Sequence, residues 1–255
     1  MLPKKRILSI NISQGKYSRF VDSIVELASN RTSSYVCVAN VHMLVEAHQS
    51  RAFQNVVNSA DIVTPDGMPL AKCFKILYRQ RQDRVDGMSL LPALLEEADN
   101  KNLSVYFYGG SQQMINKTTD YLADIYPSLK IAGAYSPPFR PLSENEKNNV
   151  ASTIIASGAN IVFVVLGCPK QERWMHEMKG KIPGVMIGIG GALPVLIGMQ
   201  SRAPEWMQKN SLEWFYRFMQ EPKRLFKRYF STNSTFLYLL AKEKLNYTKR
   251  ELPYG

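Results

Sequence analysis

Along the first two hundred residues, continuously apolar runs alternate with segments whose apolar positions recur at helical spacing. Strand-like runs fall at 7–12, 35–39, 61–64, 104–108, 161–166 and 185–189, with a weaker one at 130–134. Between them, residues 20–29, 43–58, 90–100, 112–126 and 144–157 carry the i, i+3, i+4 pattern of amphipathic helices. Runs that are apolar at every position are what a strand covered on both faces requires. The order therefore predicts an α/β fold, a Rossmann-like, mostly parallel sheet with helices on both faces. In such a sheet ligands bind beyond the carboxyl ends of the strands.

After residue 200 the pattern changes. Trp206, Trp214, Phe215, Phe218, Leu225, Phe226 and Tyr229 recur near helical spacing, interleaved with Arg217, Arg224, Lys227 and Arg228, and Pro222 is expected to divide the region into two helices. Charge follows the same split: residues 201–255 hold 11 Lys and Arg against 5 Asp and Glu, so +6 of the formal +11 lies there. The expected organisation is a catalytic domain over 1–199 and a C-terminal basic-aromatic helical appendage over 200–255. Such a surface can sit at a lipid headgroup boundary or close over a diphosphate, and packing onto the sheet domain explains the rings equally well. Residues 182–201 are uncharged, but their five glycines and two prolines fit a buried strand and turn better than a membrane span.

Composition narrows the classes. With 255 residues and 45% hydrophobic content the chain can bury one large core, which excludes global disorder. Cys37, Cys73 and Cys168 are scattered, and His42, His48 and His176 lack zinc-binding spacing, so a reducing compartment and no metal are expected. The opening residues lack the apolar run and cleavage site of a secretory signal. Gly188-Ile-Gly-Gly191 has Leu193 where a dinucleotide fingerprint needs its third glycine, and neither a phosphate-loop GK[ST] nor a GxSxG elbow occurs. NAD chemistry, ATP hydrolysis and acyl hydrolysis all lose support. No Asp-x-Asp pair occurs either, which moves diphosphate neutralisation from a metal to cations and amides.

The candidate chemistry collects at strand ends. Asp66, in Thr64-Pro-Asp-Gly67, can act as a general base or cap its own turn. Asn40 and Gln171 each offer donors and an acceptor, for a sugar or uracil or for loop amides. In Arg84-Val-Asp-Gly87, Asp86 is a rival acid, and Arg84 can hold a phosphate or pair with Asp86. Gly109 and Gly110 can present amides to a phosphate or form a tight turn. Lys170, Gly190 and Gly191 complete the candidate substrate-binding set with Arg217, Arg224, Lys227 and Arg228.

Taken in order, VANVHM at 38–43, ADIVTPDGMPL at 60–70, RVDGMSLLPALL at 84–95, VYFYGG at 105–110, LGCPKQERWM at 166–175, IGIGGAL at 187–193 and RAPEWMQKNSLEWFYRFMQEPKRLFKRY at 202–229 resemble the WecG/TagA/CpsF glycosyltransferases, glycosyltransferase family 26. The resemblance runs from about residue 33 to 230. It implies an inverting, metal-independent enzyme that needs no cofactor. Such an enzyme moves a hexosyl or N-acetylhexosaminyl unit from a UDP-sugar to a polyprenyl-diphosphate-linked saccharide in bacterial exopolysaccharide, capsule or wall-polymer synthesis. It also implies Asp66 as base, Asn40 as its polar neighbour, Gln171 as the glutamine of the PKQE motif, and Arg217, Arg224 and Lys227 as cations carried in by the appendage. A peripheral position on an anionic membrane, at the cytoplasmic face of the bacterial inner membrane, is expected. No nucleic-acid partner is expected, and the helices leave a homodimer open. Val38-Ala39-Asn40 stands where the family usually has Thr-Pro-Asn, and His42 where a Glu is common, so the donor sugar stays open. The alternatives are a sugar-nucleotide-modifying enzyme without a lipid acceptor, or a nonenzymatic basic binding protein.

Overall fold

The computed structural model describes residues 2–209, 212–220 and 222–251. The chain opens with a hairpin of β1 (Lys4–Ile7) and β2 (Ile10–Ser13), followed by α1 (Tyr17–Ser29), β3 (Ser34–Ala39), α2 (Val41–Gln49), α3 (Arg51–Asn58), β4 (Ile62–Pro65) and α4 (Met68–Tyr78). Next come α5 (Gly87–Asn100), β5 (Ser104–Gly109), α6 (Gln112–Ile125), β6 (Lys130–Tyr135), α7 (Glu144–Ser157), β7 (Ile161–Val165), α8 (Lys170–Met178), β8 (Val185–Gly188) and α9 (Ala192–Leu196). The last segment forms α10 (Glu205–Lys209), α11 (Glu213–Gln220) and α12 (Pro222–Glu251).

Six strands pair in parallel in the order β4-β3-β8-β7-β5-β6. Side chains alternate between the two faces, as the strand period requires. Tyr35, Cys37, Val162, Val164 and Met186 join one apolar core with α2, α3, α4 and α8. Val36, Val38, Phe107, Phe163 and Ile187 join the other with α1, α5 and α9. The α/β sheet with helices on both faces is thus as the apolar runs predict.

Three local readings change. Residues 7–12 are not a strand of the sheet: Leu8 takes a left-handed φ of 55°, and the chain folds into an antiparallel hairpin with Ile7 opposite Ile10. Ile7, Ile10 and Ile12 are buried against the core all the same, which is why the run reads as one strand. The helix expected over 43–58 is two helices, because Ser50 adopts extended backbone and its Oγ accepts from Phe53 N at 3.3 Å, capping α3. Helices α4 and α8 were not anticipated. Helix α8 buries Gln171 and Glu172 beside Trp174 and Met175, so it shows no clean apolar stripe.

Helix α11 ends at Gln220 and α12 begins at Pro222, but the described residues of the region form three helices, α10, α11 and α12, rather than the two expected. Residues 182–201 hold β8 and the short helix α9, where a strand and a turn were expected, and among the described residues no helix is long and apolar enough to cross a membrane. Helix α12 packs on α2 and α4, and Phe236 is buried in the core shared with α2. Phe226 and Phe230 project outward, 62% and 71% exposed.

Between β5 and β6 the register slips, with Val105 opposite Ile131 but Tyr106 opposite Gly133. A Cβ on Gly133 would stand 2.6 Å from the Tyr106 ring, so glycine lets that ring lie across the slipped strand. At Gly109 the constraint is stronger: φ is +112° and a Cβ would meet Val165 O at 2.5 Å. Gly109→Ala is expected to cost about 2 to 4 kcal/mol of stability, from left-handed backbone and a clash with the neighbouring strand. Urea denaturation of the two proteins measures the difference.

Candidate functional site

The site is assembled by hydrogen bonds that continue past the strand ends. Asp66 N donates to Ala39 O at 2.7 Å, extending the β3–β4 pairing by one residue and setting Asp66 beside Asn40. Val85 N donates to Pro65 O at 3.1 Å and Thr64 Oγ1 to Val85 O at 2.9 Å, so the Arg84-Val-Asp86 segment is tied along the end of β4. Residues far apart in the chain thereby converge on one cavity of about 440 Å³ at the carboxyl ends of β3, β4, β7 and β8. Its volume lies within the range of roughly 300–1,000 Å³ usual for small-molecule sites.

Asn40, Asp66, Arg84, Asp86, Gln171, Gly190 and Gly191 all line the cavity. Asn40 caps α2 with its Oδ1, which accepts from Met43 N at 3.1 Å. Gly67, which follows Asp66, is the N-cap of α4. Asp86 caps α5: its Oδ1 accepts from Ser89 N at 3.1 Å, and its Oδ2 lies 3.3 Å from Arg84 Nε. Both readings of Arg84 bear on one side chain, which lines the cavity and also pairs with Asp86. Its Nη2 donates to Glu213 Oε2 at 2.6 Å. Burial alone would lower the Arg84 guanidinium, but Asp86, Glu213 and Asp66 outweigh that and raise it. Asp66 is thus close enough to Arg84 to feel its charge.

Other candidates stand elsewhere. Gly109, Gly110 and the exposed Lys170 do not line the cavity. The Gly110 amide is committed to Val165 O at 2.9 Å. Arg217 falls on α11 and Arg224, Lys227 and Arg228 on α12, and their side chains lie outside the described residues. Those helices nevertheless close one wall of the cavity through Glu213 and Trp214 of α11 and Thr232 and Asn233 of α12. Sequence reasoning had placed Trp214 on the aromatic surface of the tail but missed Glu213, Thr232 and Asn233, because only packing brings them to the strand ends. Among the described residues no group of three or more His, Cys, Asp or Glu could hold a metal ion.

Gln171 sits in the floor of the cavity. Its Oε1 accepts from Gly167 N at 3.1 Å and its Nε2 donates to Glu172 Oε1 at 2.7 Å. Glu172 is fully buried and was also missed, although it adjoins Gln171 in the PKQE string. Burial pushes its carboxyl up to about 7, against the opposing pull of the Gln171 amide, its own backbone N–H and the Cys168 thiol.

The chain matches the family described as "Glycosyl transferase WecG/TagA/CpsF family" over residues 5–250. Three similar proteins are each named N-acetylglucosaminyldiphosphoundecaprenol N-acetyl-beta-D-mannosaminyltransferase. That of Bacillus spizizenii is 34% identical over 192 residues, 75% of this chain and 73% of the relative. The Bacillus subtilis protein is 31% identical over 215 residues, 84% and 82% of the two chains. One from Staphylococcus aureus is 25% identical over 244 residues, 94% and 93%.

The Glu172 carboxyl gives a pH signature. A folded-state value raised from 4.5 to about 7 means the native protein holds a proton that the unfolded chain has lost, so this group's contribution to stability falls as pH rises through that window. Glu172→Gln is expected to flatten that decline. Denaturation midpoints measured from pH 4.5 to 8 check it.

Proposed function

The chain belongs to the WecG/TagA/CpsF family of glycosyl transferases, and from that premise we propose that it moves a hexosyl or N-acetylhexosaminyl unit from a UDP-sugar to a polyprenyl-diphosphate-linked saccharide, with inversion and without a metal. The observation that carries this reading is the convergence of Asp66, Asn40, Arg84 and Gln171 on one cavity at the carboxyl edge of the sheet. The relatives' shared name, which specifies a diphosphoundecaprenol-linked acceptor sugar, supports the lipid-linked half of it.

In this reaction Asp66 takes the proton of the acceptor hydroxyl as that oxygen attacks the anomeric carbon of the donor. One C–O bond forms, the bond to the diphosphate breaks, and UDP departs with the electron pair. Arg84 stands beside Asp66 and offers a planar, always-charged fork to the diphosphate. Arg217, Arg224, Lys227 and Arg228 add positive charge from α11 and α12. With these cations answering the leaving group, no divalent ion is needed. Asn40, fixed by its cap to Met43 N, and Gln171 orient sugar hydroxyls. Val38, which also lines the cavity, places an apolar side chain where the family usually has a threonine hydroxyl, and the donor sugar is read from that difference by assay.

The exposed rings of the tail fit the lipid-linked acceptor. Trp206, Phe226 and Phe230 are more than half exposed in a segment rich in Lys and Arg, a composition suited to the headgroup boundary of an anionic membrane. The enzyme acts there as a peripheral protein at the cytoplasmic face, where UDP-sugars are made.

Two outcomes are expected. Asp66→Asn lowers transfer to a polyprenyl-diphosphate N-acetylglucosamine acceptor by about 100-fold or more while UDP binding persists, and the unsubstituted enzyme works in excess EDTA. Product mass and anomeric configuration, read across a panel of UDP-sugars, identify the donor and check inversion. The double variant Phe226→Ser/Phe230→Ser is expected to weaken cosedimentation with anionic vesicles and leave the thermal melt unchanged.

A further inference from the structure

The amide of Gln171 is held from several sides. Gly167 donates to its Oε1 at 3.1 Å, and the backbone N of Gln171 donates to Gly167 O at 3.0 Å, so the side chain and the turn grip each other. The carboxyl-end turn of β8 lies against the same amide. A Cβ on Gly188 would stand 2.8 Å from Gln171 Nε2, and one on Gly190 would stand 3.3 Å from Oε1. These glycines therefore give the amide room to lie flat against the strand end.

Its remaining end rests on Glu172. A carboxyl with no exposed surface is costly to bury. This one faces the Cys168 thiol and lies near Cys37, both neutral because burial raises them too. Glu172 Oε2 has no hydrogen-bond partner among the described residues, and Oε1 receives Gln171 Nε2 at 2.7 Å. Such a group contributes little to core packing that an apolar residue could not. An amide also has two nearly isosteric ends, and only its neighbours decide which one faces where. The Gly167 N–H selects the oxygen end and the Glu172 oxygen selects the nitrogen end.

We propose that Glu172 is a positioning residue for transfer: by accepting one Nε2 hydrogen it fixes the Gln171 amide, so that the second hydrogen is presented to the ligand in the Asp66 cavity. The inference rests on the transferase reading, because it assigns Glu172 no contact with substrate and acts wholly through Gln171. A glutamine at 172 is the informative replacement. It keeps size but can turn an NH2 instead of an oxygen towards Gln171, so the selection of amide orientation rests on the Gly167 N–H alone.

The test is a double-mutant cycle with Glu172→Gln, Gln171→Ala and their combination, with Glu172→Asp as a second variant that draws the carboxyl back by one methylene. Transfer by the unsubstituted chain tests the functional reading separately. Against that activity, Glu172→Gln and Glu172→Asp are expected to lose on the order of 10- to 100-fold in the same kinetic parameter that Gln171→Ala lowers. In the Gln171→Ala background Glu172→Gln is expected to cost nothing further. A merely structural Glu172 would cost the same in both backgrounds, and that result overturns the proposal, as does full activity of Glu172→Gln. A readout independent of activity is the side-chain amide NMR signal of Gln171, assigned by its loss in Gln171→Ala. It is expected to be shifted from the free-amide position and slow to exchange, and to move towards that position in Glu172→Gln. An unchanged signal overturns the proposal even if no transfer is found.

Discussion

Everything at the site depends on the pairing of β3 with β4 running one residue too far. In parallel strands the register fixes which residues stand side by side at the carboxyl edge. Val38 lies opposite Thr64 and Ala39 opposite Pro65, and the Asp66 amide still bonds back to Ala39. Asn40 and Asp66 are consequently the first residues of each chain to leave the sheet, and they leave it together. The Val85 bond to Pro65 then lays Arg84 along the same edge. A shift of one residue in this register would send Asp66 to the opposite face.

The second determinant is how much of the site lies in side chains that the fold itself uses. Asn40 caps α2, Asp86 caps α5, Gln171 closes its own turn, and Arg84 is pinned between Asp86 and Glu213. Such groups lose little further freedom when a ligand arrives, which is what a pre-organised site requires. Helices α11 and α12 take part as walls, and Phe236 of α12 is buried in the core shared with α2.

What was legible in the sequence follows from this division. Strands buried on both faces leave unbroken apolar runs, and β3, β5, β7 and β8 could be read directly. The residues just after β3 and β4 were then found by rule, which is how Asn40 and Asp66 were reached. Helix α8 escaped because its buried face includes Gln171 and Glu172, so its pattern looks polar. Gly190 and Gly191 were read as substrate-binding from their place at a strand end, whereas no local pattern showed that the Gln171 amide lies against Gly188 and Gly190. No local pattern could show that Glu213, Thr232 and Asn233 share a cavity with Asp66, since that arises from α12 packing against α2 and α11 packing against α12.

The slipped register between β5 and β6 bears on how the molecule keeps to itself. Strand β6 is the free margin of the sheet and is only partly covered. An even row of unsatisfied amides and carbonyls there would invite a strand from another molecule to add on. Its bulge opposite Val105 and Tyr106, together with the lysine at its start, spoils that template. The irregularity so far removed from the cavity thus works as a guard against aggregation, at one of the two borders of the sheet.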